Sequence, residues 1–395
     1  MTHTFRTFSE AIDLRDAGDI LGGFDVSGAV ANINGEIAQA LKGLNAADQA
    51  RIDHTLIELD GTVSKSRLGA NATVAVSMAV AHAAATAAAL PLWRYLRGAE
   101  EGVLPLPEIQ IFGGGAHAGQ RVDIQDFLLV APGAKNFAQA LEWTAEVYHN
   151  AGAIMSEHGR LYGVADEGGW WPAFYTNEEA LDTLVNAIEG ASLTPGEQVA
   201  IALDIAASQF GNDGVYRLGL EGRELDRDDF AELLLGWLDR YPIVSIEDPF
   251  AEDDEEGWSQ FTAAVGNRLQ IIGDDLLVTN ASRVRTAAER NLCNAVLLKP
   301  NQAGTLTETR AAYDAARAAG FGAIVSARSG ESEDTTIVHL AVGWGVPQLK
   351  VGSFSRSERM AKWNEALRIE ETLAGRARFA GGSGFNKKSR VAHGA

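Results

Sequence analysis

Six short apolar runs in the second half of the chain constrain the fold most, because each run stops at or just before a charged residue. The runs are VAIALD, PIVSIED, LQIIGDD, NAVLLKP, GAIVSAR and PQLKVG, and the charged residues are Asp204, Glu247, Asp274, Lys299, Arg328 and Lys350. Successive charged residues are 43, 27, 25, 29 and 22 positions apart, close to one βα unit each. Amphipathic stretches lie between the runs, and continuous apolar strands are typical of sheets covered by helices. The series predicts an α/β fold with a closed (β/α) barrel.

The first hundred residues follow a different pattern. NINGEIAQALKGL and NAADQARIDHTLIELDG place apolar residues at three- and four-residue steps, which predicts helices. The run LPLP at residues 104–107 breaks that pattern. We therefore expect a mostly helical N-terminal domain over residues 1–98, a barrel over 99–380 and a flexible tail over 381–395.

The uncharged stretch of residues 68–93 is long enough to span a bilayer. It is mostly alanine, however, and polar residues interrupt it at Asn71, Thr73, Ser77, His82 and Thr86. This composition favours a buried helix packed by small residues. The net charge of −20 disfavours nucleic acid and anionic lipid as partners. The single cysteine, Cys293, fits a reducing compartment, and we expect a cytoplasmic protein.

The charged residues that end the strands are the candidate site. In a barrel the carboxyl ends of parallel strands share one face, so these six side chains should converge. Three carboxylates on neighbouring strands, Asp204, Glu247 and Asp274, would repel one another in a partly buried mouth. A hard divalent cation relieves that repulsion, and oxygen ligands suit Mg²⁺. The alternative is that these acids cap helices or pair with lysines.

Lys299 is the candidate general base. Beside Arg328, Lys350 and a metal ion, its ammonium form is disfavoured, so we expect its pKa to be lowered. A substrate carboxylate bound to the metal would have a more acidic α-proton, which such a lysine can remove. The alternative is a salt bridge from Lys299 to Asp274 or Glu247.

Three polar segments precede the six charged residues that end the strands. The glycine-rich loop GGGAHAGQ presents His117, and a lone histidine in such a loop is usually structural or solvated. Just after it, Gln125 and Asp126 interrupt an apolar run. The loop ADEGGWWP places Glu167 before two glycines, so it is able to bring a carboxyl group into a site and to move.

Ten motifs resemble the enolase family between about Glu10 and Phe379. They are EAIDLRD, IELDGTVSKSRLGANA, GGGAHAGQRVDIQDF, DEGG, ALDIAAS, PIVSIED, GDDLLVTN, LLKPNQAGTLTET, SARSGESEDTTI and KVGSFSRSER. The resemblance implies an enolase-type (β/α)8 barrel with a β-β-α-α start, an N-terminal capping domain, Mg²⁺ as cofactor and a homodimer. The site it implies has metal ligands Asp204, Glu247 and Asp274, base Lys299, acid Glu167, carboxylate-holding Lys350, phosphate-holding Arg328 and Ser329, and further site residues His117, Gln125 and Asp126.

Four departures from the family pattern bear on the substrate. The chain begins beyond the point where the family has its capping strands and a serine loop, and Phe5 holds the register position of that serine. Ala327 stands where the family has histidine, Asp126 where it has glutamate, and Pro300 where it has valine. We therefore expect a truncated, mostly helical capping domain and more space at the phosphoryl end of the substrate.

These departures resemble carboxyphosphonoenolpyruvate synthase, a lyase/transferase branch of the family in phosphonate (phosphinothricin) antibiotic biosynthesis. The expected product is an enolpyruvyl phosphonate ester. The expected substrates are a 2-phosphoglycerate-type carboxylate and nucleotide-activated phosphonoformate, with a cytidine nucleotide conjugate as the candidate donor. One alternative is phosphopyruvate hydratase, which dehydrates 2-phosphoglycerate to phosphoenolpyruvate. The other is a non-catalytic enolase-like binding protein.

Overall fold

A computed structural model describes residues 10–385 and contains the predicted barrel. The helices are α1 (Ser27–Asn32), α2 (Ala38–Leu41), α3 (Gln49–Asp60), α4 (Ala70–Ala87), α5 (Leu92–Arg97), α6 (Phe137–Glu157), α7 (Asn177–Gly190), α8 (Arg227–Arg240), α9 (Glu255–Val265), α10 (Ala281–Arg290), α11 (Pro300–Ala303), α12 (Leu306–Ala319), α13 (Thr336–Trp344) and α14 (Ser357–Leu373). The strands are β1 (Val103–Leu104), β2 (Leu106–Gly113), β3 (Asp126–Val130), β4 (Ala200–Asp204), β5 (Gly211–Asn212), β6 (Val215–Leu218), β7 (Arg223–Asp226), β8 (Ile243–Glu247), β9 (Gln270–Gly273), β10 (Ala295–Leu298), β11 (Gly322–Ser326), β12 (Gln348–Gly352) and β13 (Arg378–Phe379).

The barrel closes in the order β10-β11-β12-β2-β3-β4-β8-β9. Each of the six apolar runs in the sequence forms one of its strands, and all of these strands are parallel to their neighbours in the series. The barrel begins β2-β3-α6-α7, and β3 is antiparallel to both β2 and β4. The enolase-type α/β barrel, including its irregular start, is confirmed.

The reversed direction of β3 places Asp126 in the site. Because β3 is antiparallel, its first residue lies at the mouth where the parallel strands end. Asp126 pairs in register with Asp204 at the end of β4, and Asp204 pairs with Glu247 at the end of β8. Three carboxylates therefore stand side by side around the rim.

Six helices of the barrel region begin at side chains that accept from free backbone N–H groups, whereas α11, α13 and α14 have no such cap. The capping side chains are Asn136, Thr176, Asp226, Asp254, Asn280 and Thr305. Such caps are worth roughly 1 kcal/mol each and fix where a helix starts. At Thr305 the hydroxyl also donates to the carboxylate of Glu308, which adds a second contact between these two residues.

The N-terminal part is helical, as predicted. The run Ser27–Asn32 continues through a π-helical turn, Ile33–Ile37, into α2. Helix α4 is long and apolar enough, by length and composition, to cross a membrane. It packs against α3, α5 and α11 and buries its small residues there, which favours the interpretation of a core helix.

The predicted C-terminal tail begins with residues that the structure describes and ends with residues that it does not. Residues Gly381–Gly384 form a 3-10 turn, and Phe385 is buried in a cluster with Leu106 and Leu128. The flexible tail predicted from residue 381 is therefore wrong for residues 381–385, because an aromatic side chain anchors them. Residues 386–395 and Phe5 lie outside the described residues.

A short strap at the start of the described chain ties the N-terminal part to the barrel. The backbone N–H of Ala11 donates to the carbonyl of Gln302 at 2.9 Å, next to Lys299. The carboxylate of Asp53 accepts hydrogen bonds from Thr307, and Lys65 forms an ion pair with Glu308 at 2.8 Å. The Ala11 bond holds the strap, residues 10–12, against the barrel, and the Asp53 and Lys65 contacts hold the helical part beside it.

Candidate active site

The six charged side chains that end the strands meet at the mouth of the barrel, as the strand spacing predicts. Five of them line one pocket, and Glu247 lies just behind it, bonded to Lys350. The pocket also takes in the three polar segments that precede them. Its remaining predicted members are His117, Gln125, Asp126, Glu167 and Ser329. Every predicted site residue is therefore at or beside this pocket.

Lys350 is surrounded by carboxylates. Its ammonium group donates to Asp204 at 2.7 Å and to Glu247 at 2.9 Å, and it lies 3.5 Å from Asp126. Burial lowers the pKa of Lys350, but these carboxylates outweigh burial and raise its pKa well above the ordinary value. Burial and the charge of Asp204 raise the pKa of Glu247. Lys350 is thus a fixed cation at the carboxylate-rich side of the pocket.

Lys299 does not show the lowered pKa that the sequence predicted. Its ammonium group donates to Asp274, which also accepts from the amide of Gln302 at 3.0 Å. Burial lowers the pKa of Lys299. The negative charges of Asp274 and Glu247 raise that pKa by more than burial lowers it, so the net shift is upward. The prediction was wrong because the nearest charge is a carboxylate rather than Arg328 or Lys350. The alternative of a salt bridge to Asp274 is the geometry observed.

Asp126 is bonded through one of its two carboxylate oxygens, Oδ1. It accepts from Gln110 at 2.6 Å and from the His117 ring at 3.1 Å. Burial lowers the pKa of His117, but Asp126 dominates together with Glu167 and Asp204 and raises the pKa of His117 to about 9. Burial raises the pKa of Asp126, but His117 and Lys350 hold it well below its usual range. At neutral pH this pair is therefore charged.

Glu167 is held by backbone contacts on a loop that only glycine allows. Gly168 has φ +92°, and a Cβ there would lie 2.5 Å from the carbonyl of Ser355. The carbonyl of Glu167 accepts from the N–H of Ser353 at 2.9 Å. Burial and the charge of Asp126 raise the pKa of Glu167. A carboxyl group with a raised pKa keeps its proton longer, which suits a proton donor.

Arg328 pairs with a carboxylate from outside the barrel strands. The guanidinium of Arg328 forms an ion pair at 2.9 Å with Glu10, from the N-terminal strap, and both side chains are buried. Its neighbour Ala327 presents only a methyl group to the pocket. The carbonyls of Arg328 and Ser329 both accept from Arg359 at 2.7 Å, so the backbone here is fixed independently of Glu10.

Comparison with known proteins agrees with this geometry. The model of the enolase C-terminal TIM barrel domain matches residues 101–388, and the model of the enolase N-terminal domain matches residues 6–96. The chain belongs to the enolase family. "Enolase 2" of Pseudomonas syringae pv. syringae (strain B728a) is 47% identical to it over 378 residues, which is 95% of this chain and 88% of that protein. "Enolase 2" of Pseudomonas syringae pv. tomato (strain ATCC BAA-871 / DC3000) has the same identity and coverage.

Enolase-family enzymes are lyases that use Mg²⁺, and the donor set of this chain suits that ion. Asp126 Oδ2, Asp204 Oδ1 and Glu247 Oε1 are buried and accept no hydrogen bond from any residue that the structure describes. Buried carboxylate oxygens without partners are costly unless a cation binds them. Oxygen donors of this kind fit Mg²⁺. The tightest carboxylate group, however, is Asp248, Asp274 and Asp275, whose oxygens lie within 4.8 Å of one another.

Several pocket residues were not identified from the sequence, and four of them bond or adjoin the predicted residues: Asp248, Asp275, Gln302 and Glu10. Asp248 accepts from the backbone N–H groups of Asp274 and Asp275 and so positions the end of β9. The doubled acids in the motifs IED and GDD are the signal that could have found Asp248 and Asp275. Gln302 bonds Asp274, and Glu10 bonds Arg328, but neither has a chemical signature in the sequence.

Proposed function

We propose that this enolase-family chain is a Mg²⁺-dependent enzyme that forms an enolpyruvyl ester, and that the group it places on the enol oxygen is carboxyphosphonyl rather than phosphoryl. This is the activity of a carboxyphosphonoenolpyruvate synthase in phosphonate biosynthesis. The observation that carries the finer proposal is a groove of about 1130 Å³ that shares Glu10, Ser326 and Arg328 with the catalytic pocket. Such a groove offers room for a group larger than phosphate beyond Arg328.

Asp204, Glu247 and Asp274 would hold the magnesium ion. When bound, Mg²⁺ stabilises the negative charge that builds on the substrate carboxylate as the α-proton leaves. Lys350 adds a fixed positive charge beside that carboxylate. Lys299 Nζ lies in contact with Asp274 and would be the group that accepts the α-proton.

Glu167 completes the elimination. Its raised pKa keeps a proton available for the departing β-hydroxyl. Glu167 comes from the segment between α6 and α7 whereas Lys299 follows β10, so the proposed acid and base reach the pocket from different parts of the chain. Arg328 and Ser329 hold the phosphorus-bearing group at the other end of the pocket.

The overall reaction balances as 2-phosphoglycerate plus nucleotide-activated phosphonoformate giving the enolpyruvyl phosphonate ester, a nucleoside monophosphate and phosphate. A bond forms from the enol oxygen to the phosphorus of phosphonoformate, and the bond from that phosphorus to the nucleotide oxygen breaks. The phosphoryl group leaves as inorganic phosphate, taking up the water that the dehydration releases.

Phosphorus NMR on one sample series tests the proposal. We expect nucleoside monophosphate and phosphate to appear in equal amounts when both substrates and Mg²⁺ are present, and neither product when the phosphonoformate conjugate is omitted. The Lys299→Ala variant should form none of the products. Accumulation of phosphoenolpyruvate at the same rate with and without the conjugate would contradict the phosphonyl assignment.

The second candidate is ordinary phosphopyruvate hydratase, 2-phosphoglycerate dehydration without transfer. The 47% identity to proteins named "Enolase 2" favours it. The base, acid and metal-ligand set serves both reactions, because both begin with the same proton abstraction. A cytoplasmic homodimer is proposed for either candidate on the habit of the family alone.

A further inference from the structure

Four polar side chains bond to one another across the interior of the barrel. They are Glu108 on β2, Ser245 on β8, Gln270 on β9 and Gln348 on β12, and none is more than 1% exposed. Ser245 donates to Gln270 at 3.1 Å, Gln270 donates to Gln348 at 2.7 Å, and Gln348 donates to Glu108 at 3.1 Å. Because β9 and β12 are not neighbours in the barrel, the bond between their side chains must cross its interior. We call these four residues the interior polar layer.

The interior polar layer lies next to the charged side chains of the pocket. Side chains two positions apart on a strand point to the same face. Ser245 therefore lies one level below Glu247, and Gln348 lies one level below Lys350. Glu108 is in register with Lys350 on the neighbouring parallel strand and bonds to Gln348, so its carboxyl group lies beside these two residues.

Glu108 is the one member of the interior polar layer that can carry a charge, and the proposed reaction gives it no role. Burial raises the pKa of Glu108, Lys350 lowers it and Asp204 raises it, and the result is a pKa of about 7. On its other side, β3 places the apolar side chain of Val130 opposite Glu108. The charge of Glu108 therefore depends on the charge of the pocket above it.

The pocket above Glu108 has one ammonium group among three carboxylates. Lys350 pairs with Asp204 and Glu247 and lies 3.5 Å from Asp126. A fourth carboxylate at Glu108 adds repulsion, which favours the protonated form of Glu108 while no further cation is bound. A divalent cation on the unpartnered oxygens of Asp204 and Glu247 would reverse that balance, because its charge attracts a nearby buried carboxylate.

We propose that Glu108 is an internal counter-charge for the metal site. It gives up its proton to solvent when Mg²⁺ binds at Asp204 and Glu247, and the carboxylate that remains makes the site hold the ion more tightly. The O–H bond of the carboxyl group breaks, and no electron is transferred. The inference rests on the metal ligands of the proposed function, but not on which group that reaction transfers.

Calorimetric titration with Mg²⁺ alone at two pH values tests the proposal. Glu108→Gln is neutral at every pH and so resembles the protonated form. We expect this variant to bind Mg²⁺ about tenfold more weakly than the original protein at pH 8.5, where Glu108 is ionised, since a pKa shift of one unit equals a tenfold change in affinity. At pH 5.5 Glu108 is mostly protonated, so the two proteins should agree within about twofold.

Titrations in two buffers of different ionisation enthalpy count the protons released. At pH 6.5 the original protein should release about half a proton more per Mg²⁺ than Glu108→Gln does. At pH 8.5 the two proteins should release the same number, because Glu108 has no proton left to give. Equal counts at pH 6.5, an equal loss of affinity at both pH values, or no loss at pH 8.5 would overturn the proposal.

Ser245→Ala is the matched control within the interior polar layer. It disturbs the layer without removing a charge, so any change in the Kd for Mg²⁺ should be the same at both pH values. Glu108→Asp keeps an ionisable group and should keep the dependence on pH. If Glu108→Gln does not fold, judged by its melting curve, Glu108→Met carries the same expectations, because a flexible apolar side chain suits a buried position.

Asp204→Asn distinguishes failure of the metal site from failure of the counter-charge. It removes a proposed ligand, so Mg²⁺ binding should weaken at both pH values. Unchanged binding in this variant would mean that the ion binds elsewhere, and the metal site of the proposed function would then be wrong together with the counter-charge. Weaker binding in Asp204→Asn, without a pH-dependent effect of Glu108→Gln, would overturn the counter-charge alone.

Discussion

The two sides of the catalytic pocket are built in different ways. On the carboxylate-rich side, Asp126, Asp204 and Glu247 come from neighbouring strands in register and share Lys350. On the Arg328 side, one barrel cation pairs with Glu10 from the N-terminal strap. The first side is fixed by the barrel itself, so its chemistry is hard to change. The second is assembled between two parts of the chain, so under the proposed function substitutions there should alter substrate binding without disturbing proton abstraction.

Removal of Lys299 should have the largest effect of any change to the pocket. We expect Lys299→Ala to lower kcat about 10³- to 10⁴-fold, because a positioned general base contributes on that order. Steady-state turnover, with melting curves to confirm folding, measures this. A non-catalytic binding protein would instead keep its whole function in the variant. That result would show that the two sides of the pocket do not differ in a catalytic role.

Loss of Lys350 tests the carboxylate-rich side as a cation site. Lys350→Met leaves three buried carboxylates without their shared partner, and we expect the free energy of unfolding to fall by about 3–5 kcal/mol in the absence of Mg²⁺. Mg²⁺ should restore more stability to the variant than it adds to the original protein, because the ion takes over the charge that the lysine supplied. Urea denaturation with and without Mg²⁺ measures both quantities.

Lys65→Met is the matched control for that experiment. Lys65 is equally buried and pairs with Glu308, but it lies in the N-terminal part away from the predicted metal ligands. Its loss should destabilise the protein without any special recovery in Mg²⁺. An equal response of both variants to Mg²⁺ would mean that the carboxylate-rich side is not where the ion binds.

The sequence predicted the two sides unequally, because one is built by the barrel strands alone and the other by the barrel and the N-terminal strap. The strands and the carboxylate-rich side were predictable, because continuous apolar runs at βα spacing fix which residues end neighbouring strands. The position of Asp126 depended on the family resemblance, since periodicity does not reveal that β3 is antiparallel. The pairing of Glu10 with Arg328 was not predictable, because it depends on how the strap crosses the barrel.

The pKa of Lys299 shows a second limit of sequence reasoning. The series of charged strand ends identifies the groups that converge but does not show which of them lies nearest to Lys299. The ammonium group of Lys299 contacts Asp274 rather than Arg328 or Lys350, and that single contact reverses the expected direction of the shift. The distance from Lys299 to its nearest charged neighbour therefore decides whether its pKa is raised or lowered, and residue identity alone does not give that distance.

The pH dependence of stability probes the His117–Asp126 pair on the carboxylate-rich side. The pKa of His117 is raised to about 9 in the folded protein, against roughly 6.5 when unfolded. Its stabilising contribution, up to about 3 kcal/mol, is therefore fully present below pH 6.5 and is lost as the pH rises through 9. We expect His117→Asn to be less stable than the original protein at pH 6 and nearly equal to it at pH 10, by urea denaturation.

His158 provides the control for this pH series. It is exposed at the end of α6 and bonds only to its own helix among the residues described. His158→Asn should show a difference from the original protein that is small at every pH. A constant deficit for His117→Asn from pH 6 to 10 would contradict the charged pair.

Ala327→His should produce the smallest effect, and it tests whether the Arg328 side can be altered alone. The variant adds a hydrogen-bond donor beside Arg328, and one such bond contributes about 1 kcal/mol. We expect the KM for 2-phosphoglycerate to fall about fivefold, and kcat to stay within twofold because Lys299 and Glu167 are untouched. Ala327→Leu fills similar space without a donor and should raise KM instead.

If histidine and leucine had the same effect, space rather than hydrogen bonding would control this side. If either changed kcat strongly, the two sides would not be separable, and the barrel and the strap would have to be treated as one catalytic unit.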